Sequence, residues 1–172
     1  MKKILAILML LCVFATAALA EVAEVNWSDV EPILEASGVE GEFRTFDEVA
    51  VKIWLPAEMQ PSELTDDDKE QGFIAHFTDA EQSAQVSVVY VDVNGMSLED
   101  YAAYLPEVGA ENVEMEIING LQAVEYTLPE QDSLSVAFAS DSGSILEITM
   151  NPLSEEGADV VWAMVGASIQ PE

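Results

Sequence analysis

The chain has 172 residues, with 33 acidic and 5 basic side chains and a formal net charge of -28. A surface this acidic repels phosphate backbones, which excludes nucleic-acid binding and disfavours adsorption to anionic lipid. The length suits one domain with its own hydrophobic core and is short for two.

Residues 1–20, MKKILAILMLLCVFATAALA, begin with two lysines beside an unbroken apolar run from Ile4 to Ala15 and end on Ala18-Leu19-Ala20. That is the three-part layout of a secretory signal peptide, with cleavage expected before Glu21. The apolar run is short for a membrane span of about 20 residues, so no stable membrane insertion is expected after cleavage. Cys12 is the only cysteine and leaves with this segment, and Leu11 before it is too large for a lipoprotein signal. Residues 21–172 then hold all 33 acids against Arg44, Lys52 and Lys69, for a net charge of -30. With no disulfide or thiolate, they must be stabilised by core packing. Twelve aromatics and repeated alternating runs oppose disorder. A secreted or periplasmic location follows from the signal.

Glu21 to Asn26 reads as a short leader. Trp27 to Ser37 predicts a helix with Val30, Ile33 and Leu34 on one face, Ser28 or Asp29 as cap, and Gly38 and Gly41 beyond its end. Phe43 to Phe46 and Val49 to Leu55 predict two strands around Asp47-Glu48, stopped by Pro56. The polar stretch from Pro61 to Gly72 predicts an exposed loop or one short helix. Strands are expected over Phe73 to Thr78, with Phe73, Ala75 and Phe77 opposite Ile74 and His76, and over Val86 to Asp92. Asn94-Gly95 turns the chain.

Ser97-Leu-Glu-Asp100 resembles a capping box with Asp for Glu, opening a helix with Leu98, Tyr101, Ala102 and Leu105 on one face. Asn112 to Leu128 reads as a hairpin around Asn119-Gly120, a pair that suits a type I′ turn. Two strands follow, around Leu134, Val136, Phe138 and around Leu146, Ile148, Met150, joined at Asp141-Ser-Gly143. Ser154-Glu155-Glu156 is expected in the first turn of a last helix with Val160, Val161 and Met164 inside. Gly166 should break that helix, and Ser168-Ile169 is expected as a short closing strand. Strand runs joined by hairpins, with helices between them, imply an α+β fold with a mainly antiparallel sheet flanked by helices.

This pattern resembles the PsbP/Mog1-like fold and small exported bacterial proteins that carry it. The resemblance rests on VAVKIWLPAEM (49–59), the hairpin INGLQAVEY (118–126), the strands LSVAF and ILEI, and a closing helix followed by ASIQPE (167–172). It covers nearly all of residues 42–172. It implies an α/β/α sandwich. The chain then divides into 1–20 as the expected signal peptide, 21–41 as a helical leader and 42–172 as a single sandwich domain. The family includes extrinsic proteins of the oxygen-evolving photosystem and a Ran-binding nuclear factor, functions too different for the fold to select between them. The resemblance implies no catalytic motif and favours binding or scaffolding.

The chemistry-bearing residues are few. His76 is the only histidine, and a serine hydrolase built on it would lack a G-x-S-x-G elbow. Asp66, Asp67 and Asp68 are hard oxygen donors suited to calcium or magnesium. A calcium loop starting at Asp66 fails at its sixth residue, Gln71, and its twelfth, Phe77. These aspartates therefore imply at most a low-affinity calcium site, and no other cofactor is expected. Zinc lacks ligands, because one histidine and no cysteine remain after cleavage. A glycosidase needs two carboxylates across a cleft, but Glu114 and Glu116 are expected to face solvent. Trp27, Trp54 and Trp162 could floor a ligand platform, though helices over its strand face would make Trp54 a core residue. No phosphate-binding glycine loop is present. The expectation is an exported binding or scaffold protein acting through its acidic surface on a protein or envelope component that is neutral or basic. The alternatives are a carboxylate-based hydrolase and a low-affinity calcium-binding module.

Overall fold

The computed structural model describes residues 22–46, 49–93, 95–140 and 144–171. Residues 1–21, Asp47-Glu48, Asn94, Glu172 and the residues Asp141-Ser-Gly143, where a turn is expected, lie outside the described residues. In chain order the strands are β1 Ala23–Val25, β2 Gly41–Phe46, β3 Val51–Pro56, β4 Gln60–Ser62, β5 Phe73–Thr78, β6 Gln85–Val91, β7 Glu111–Ile118, β8 Leu121–Leu128, β9 Ser133–Ala139, β10 Ile145–Asn151 and β11 Gln170–Pro171. The α-helices are α1 Trp27–Ser37, α2 Asp66–Glu70, α3 Leu98–Tyr104 and α4 Ala158–Ala167, and a 3-10 turn, Leu105–Val108, continues α3.

An eight-stranded sheet runs β1-β7-β8-β9-β10-β6-β5-β4, and a three-stranded sheet runs β11-β3-β2. Every pairing is antiparallel except β1 with β7. This is the α+β, mainly antiparallel arrangement expected from the hairpin-joined strands.

Period-two alternation explains the layers. In β10, Leu146, Ile148 and Met150 join Val86, Val88, Val136 and Phe138 in one core, together with Ile53 and Leu55 of β3, Trp27 and Leu34 of α1, and Trp162 and Val165 of α4. The opposite face of the large sheet presents Val124, Tyr126, Ala137 and Ile145 to Leu98, Tyr101 and Leu105, forming a second core under α3. The central strands are therefore covered on both sides, and Ser133 through Phe138 are all buried. Each large aliphatic side chain withdrawn from water in this way contributes about 1.5–3 kcal/mol.

Several local expectations meet the structure and several are corrected. Trp27–Ser37 is helical over the predicted range, but its N-cap is Asn26, which makes no side-chain cap bond. Ala23–Val25, expected as leader, pairs with Glu116–Ile118. The polar stretch contains a complete capping box: Thr65 Oγ1 accepts from the Asp68 N–H while the Asp68 carboxylate accepts from the Thr65 N–H. At the predicted box, Ser97 Oγ accepts from the Asp100 N–H at 3.1 Å. Glu155 and Glu156 precede α4 instead of entering it, because Gly157 caps the helix in a left-handed conformation and leaves Asp159 as the acid of its first turn. Gly166 stays inside α4. An added Cβ there would lie 3.3 Å from Val136 Cγ2, so the glycine serves close helix–sheet approach. The closing strand is Gln170–Pro171, while Ser168 caps α4 and its Oγ accepts from the Trp54 N–H at 2.8 Å.

Candidate functional site

The groove between α1 and the β2–β3 hairpin is built by two periodicities. Trp27 and Leu34, seven residues apart, point one helical face inward, and Glu31 and Glu35 stand exposed beside it. Across the hairpin, register places Phe43 opposite Trp54 and Gly41 opposite Pro56, so these side chains share one face of the small sheet. The rings meet: Trp27 contacts Phe43 edge-on at a centroid distance of 5.4 Å and lies 6.4 Å from Trp54. Gly41 admits this packing, because a Cβ there would collide with the Trp54 indole and the Leu55 carbonyl. The resulting groove has a volume of about 360 Å³, with Trp27, Phe43 and Trp54 beneath and Glu31, Glu35, Glu40 and Glu42 around it. All four glutamates are exposed. Glu42 is held by Arg44 at 2.6 Å. Lys52 Nζ lies 5.0 Å from the Phe43 ring centroid, a cation–π contact made within the chain.

Trp54 takes the core reading. At 5% exposure it is a core residue, and it still lines a groove. Trp162 is buried, and its indole N–H donates to the Pro152 carbonyl at 2.7 Å.

The other sequence-predicted residues are dispersed. Asp66, Asp67 and Asp68 occupy the first turn of α2. The Asp68 carboxylate is occupied by Thr65, and those hydrogen bonds hold it below the usual carboxylate range. Asp66 lies 3.9 Å from Lys69. Among the described residues no group of three His, Cys, Asp or Glu side chains is placed to hold a metal ion. His76 lines a second, open groove of about 520 Å³ with Ser62, Leu64, Lys69 and Ile74. The alternation expected in β5 is interrupted by a register shift between Phe73 and Ala75, so that the Phe73 and His76 rings meet edge-on at 4.7 Å. His76 Nε2 is enclosed without a hydrogen-bond partner.

Glu116 corrects the expectation that it faces solvent. Glu114 pairs directly with Glu125 across β7–β8, Glu116 pairs with Ala123, and all lie on the face that carries Ile118 and Ala123. Glu114 is exposed, but Glu116 and Glu125 are half-buried. Desolvation first, then the Glu125 and Glu114 charges, pushes Glu116 up to about 8. Burial and Glu114 also raise Glu125. These carboxylates sit side by side on one sheet, not across a cleft. The glutamates that do rim a groove are uniformly exposed and lack the unequal environments an acid/base pair needs.

On the far face, Glu147 anchors a polar network. Its carboxylate accepts from Tyr126 Oη, from Tyr101 Oη at 2.9 Å and from Thr149 Oγ1 at 3.0 Å. Burial and the Glu147 charge raise both tyrosines above their ordinary range. The network satisfies a half-buried carboxylate beside the second core and ties it to α3 through Tyr101.

The chain has a PsbP-like fold. It is similar to cyanobacterial PsbP, CyanoP, from Synechocystis sp. PCC 6803, whose solution structure superposes with a TM-score of 0.55 at 12% identity, covering 92% of this chain and 99% of that one. No family model and no curated protein matches the sequence. At this identity the likeness concerns the fold. Among the described residues no helix is long and apolar enough to cross a membrane.

Sequence reasoning missed the α1–hairpin groove. Glu31 and Glu35 at i,i+4 spacing were a visible signal. Phe43 opposite Trp54 needed the hairpin register, and the approach of Trp27 to both rings is a tertiary fact.

Proposed function

We propose that this is an exported binding or scaffold protein that selects a neutral or basic protein or envelope component through its negative charge. The observation that carries the reading is the fate of its basic residues. Of the three that remain in residues 21–172, Arg44 pairs with Glu42, Lys69 faces Asp66, and Lys52 lies over Phe43. The net charge of -30 is thus unrelieved by any free basic patch. Such a surface speeds encounter with basic partners and rejects acidic ones, with a strong dependence on ionic strength. A PsbP-like fold supports binding over catalysis.

The test is capture from a native envelope extract with immobilised residues 21–172. A basic or neutral partner that is retained at low salt and released by salt supports the reading. Reproducible absence of partners, or retention of acidic proteins, refutes it.

A further inference from the structure

The groove between α1 and the β2–β3 hairpin combines an aromatic floor with an anionic rim. The floor is Trp27, Phe43 and Trp54, and the rim is Glu31, Glu35 and Glu40. Those three glutamates make no ion pair among the described residues, whereas Glu42 is taken by Arg44. Such an arrangement suits one kind of occupant. A cation gains from the carboxylates, while its aliphatic stem covers the apolar surface that the rings leave open. Neutral and anionic groups gain only part of this or are repelled. Lys52 already sits over Phe43 beside the groove, so the carboxylates are what an incoming cation meets.

We propose that this groove is a seat for one basic side chain, an arginine by preference, presented by a partner protein. Arginine is favoured because its planar guanidinium forks toward carboxylates. This rests on the binding reading above and locates its contact. The groove supplies the specific grip, and the remaining acids of the molecule supply long-range attraction.

The experiment uses residues 21–172 and a blocked Gly-Arg-Gly peptide, with Gly-citrulline-Gly as its uncharged counterpart. Binding is followed through the three indole N–H resonances. The arginine peptide is expected to shift the Trp27 and Trp54 signals and to leave Trp162, which is buried against Pro152, unmoved. The citrulline peptide should shift neither. Glu31→Gln/Glu35→Gln/Glu40→Gln should weaken the arginine peptide by roughly tenfold, the scale of three adjacent charges in a high dielectric. Glu99→Gln/Asp100→Asn/Glu107→Gln removes the same charge on the α3 side of the large sheet and should weaken it by less than about twofold, since distant charges are screened. All six positions are exposed, so both variants are expected to fold. Equal weakening by the two triple variants would overturn the groove and leave the general acidic-surface reading standing. Silence of the Trp27 and Trp54 signals at saturating arginine peptide would overturn it as well. Peptide binding in the groove alongside a failed partner capture would sustain the groove and sink the protein-partner reading.

Discussion

Glu116 is the residue at which this fold most clearly stores electrostatic cost, and the cost has a definite pH dependence. Its carboxyl is pushed from an ordinary 4.5 to about 8 by burial, with Glu125 and Glu114 adding to the shift. One of its oxygens is enclosed without a partner. A raised acid binds a proton in the folded state that the unfolded chain has already released. Stability therefore falls as pH rises between about 4.5 and 8, and the loss is complete above that window. At 1.36 kcal/mol per unit, the full span corresponds to ~5 kcal/mol. Partial exposure and rearrangement of the exposed Glu114 reduce this to ~2–3 kcal/mol. Glu116→Gln keeps the shape and removes the charge. It should match the parent near pH 4 and exceed it by ~2–3 kcal/mol at pH 9. Urea unfolding followed by tryptophan fluorescence, repeated from pH 4 to 9, measures the difference directly. A difference that does not vary with pH, or a variant weaker than the parent at pH 9, would refute the reasoning.

Three further predictions concern packing and caps. Gly41→Ala drives a Cβ into the Leu55 carbonyl and the Trp54 ring. It should cost ~2–3 kcal/mol and lower the melting temperature by ~5–10 °C, read by differential scanning calorimetry. Tyr126→Phe removes one hydroxyl donor from half-buried Glu147 while Tyr101 and Thr149 remain. A loss of ~1–2 kcal/mol in urea unfolding is expected. Thr65→Ala removes the α2 cap. It should speed amide exchange at Asp68 by roughly fivefold and leave the melting temperature almost unchanged, because α2 buries no residue.

The sequence discloses most of this fold because its elements are set by local rules. The α1 boundaries follow from an apolar face ending at Gly38, which closes the helix in a left-handed conformation. The Asn119-Gly120 turn follows from two residues that tolerate positive φ, and both adopt it, at 48° and 84°. What stays hidden is set by distant partners. β1 is three residues long and exists because β7 offers it an edge. Alternation in β7 separates Met115 from Glu116, but it cannot show that both faces of the large sheet are covered. The pattern alone therefore places Glu116 in water, whereas it stands half-buried. Gly166 reads as a helix breaker until the proximity of Val136 is known. The groove follows the same logic, with its glutamates local and its stacked rings brought together only by register and helix packing.

Asn119 gives the molecule a chemical clock with a brake on it. Asparagine followed by glycine is prone to spontaneous deamidation, because the next amide nitrogen can reach the side-chain carbonyl past a residue with no Cβ. Here that side chain is engaged at both ends. Oδ1 accepts from the Trp27 N–H at 2.6 Å, and Nδ2 donates to the Ala167 and Ile169 carbonyls at 2.9 and 2.7 Å. Cyclisation must first break those bonds, so the folded protein ages slowly at the site where the unfolded chain ages fast. Once an aspartate forms there, a carboxylate faces two carbonyl oxygens and no longer donates to either. The damage would loosen the joint between the start of α1 and the end of α4, which this one side chain ties together.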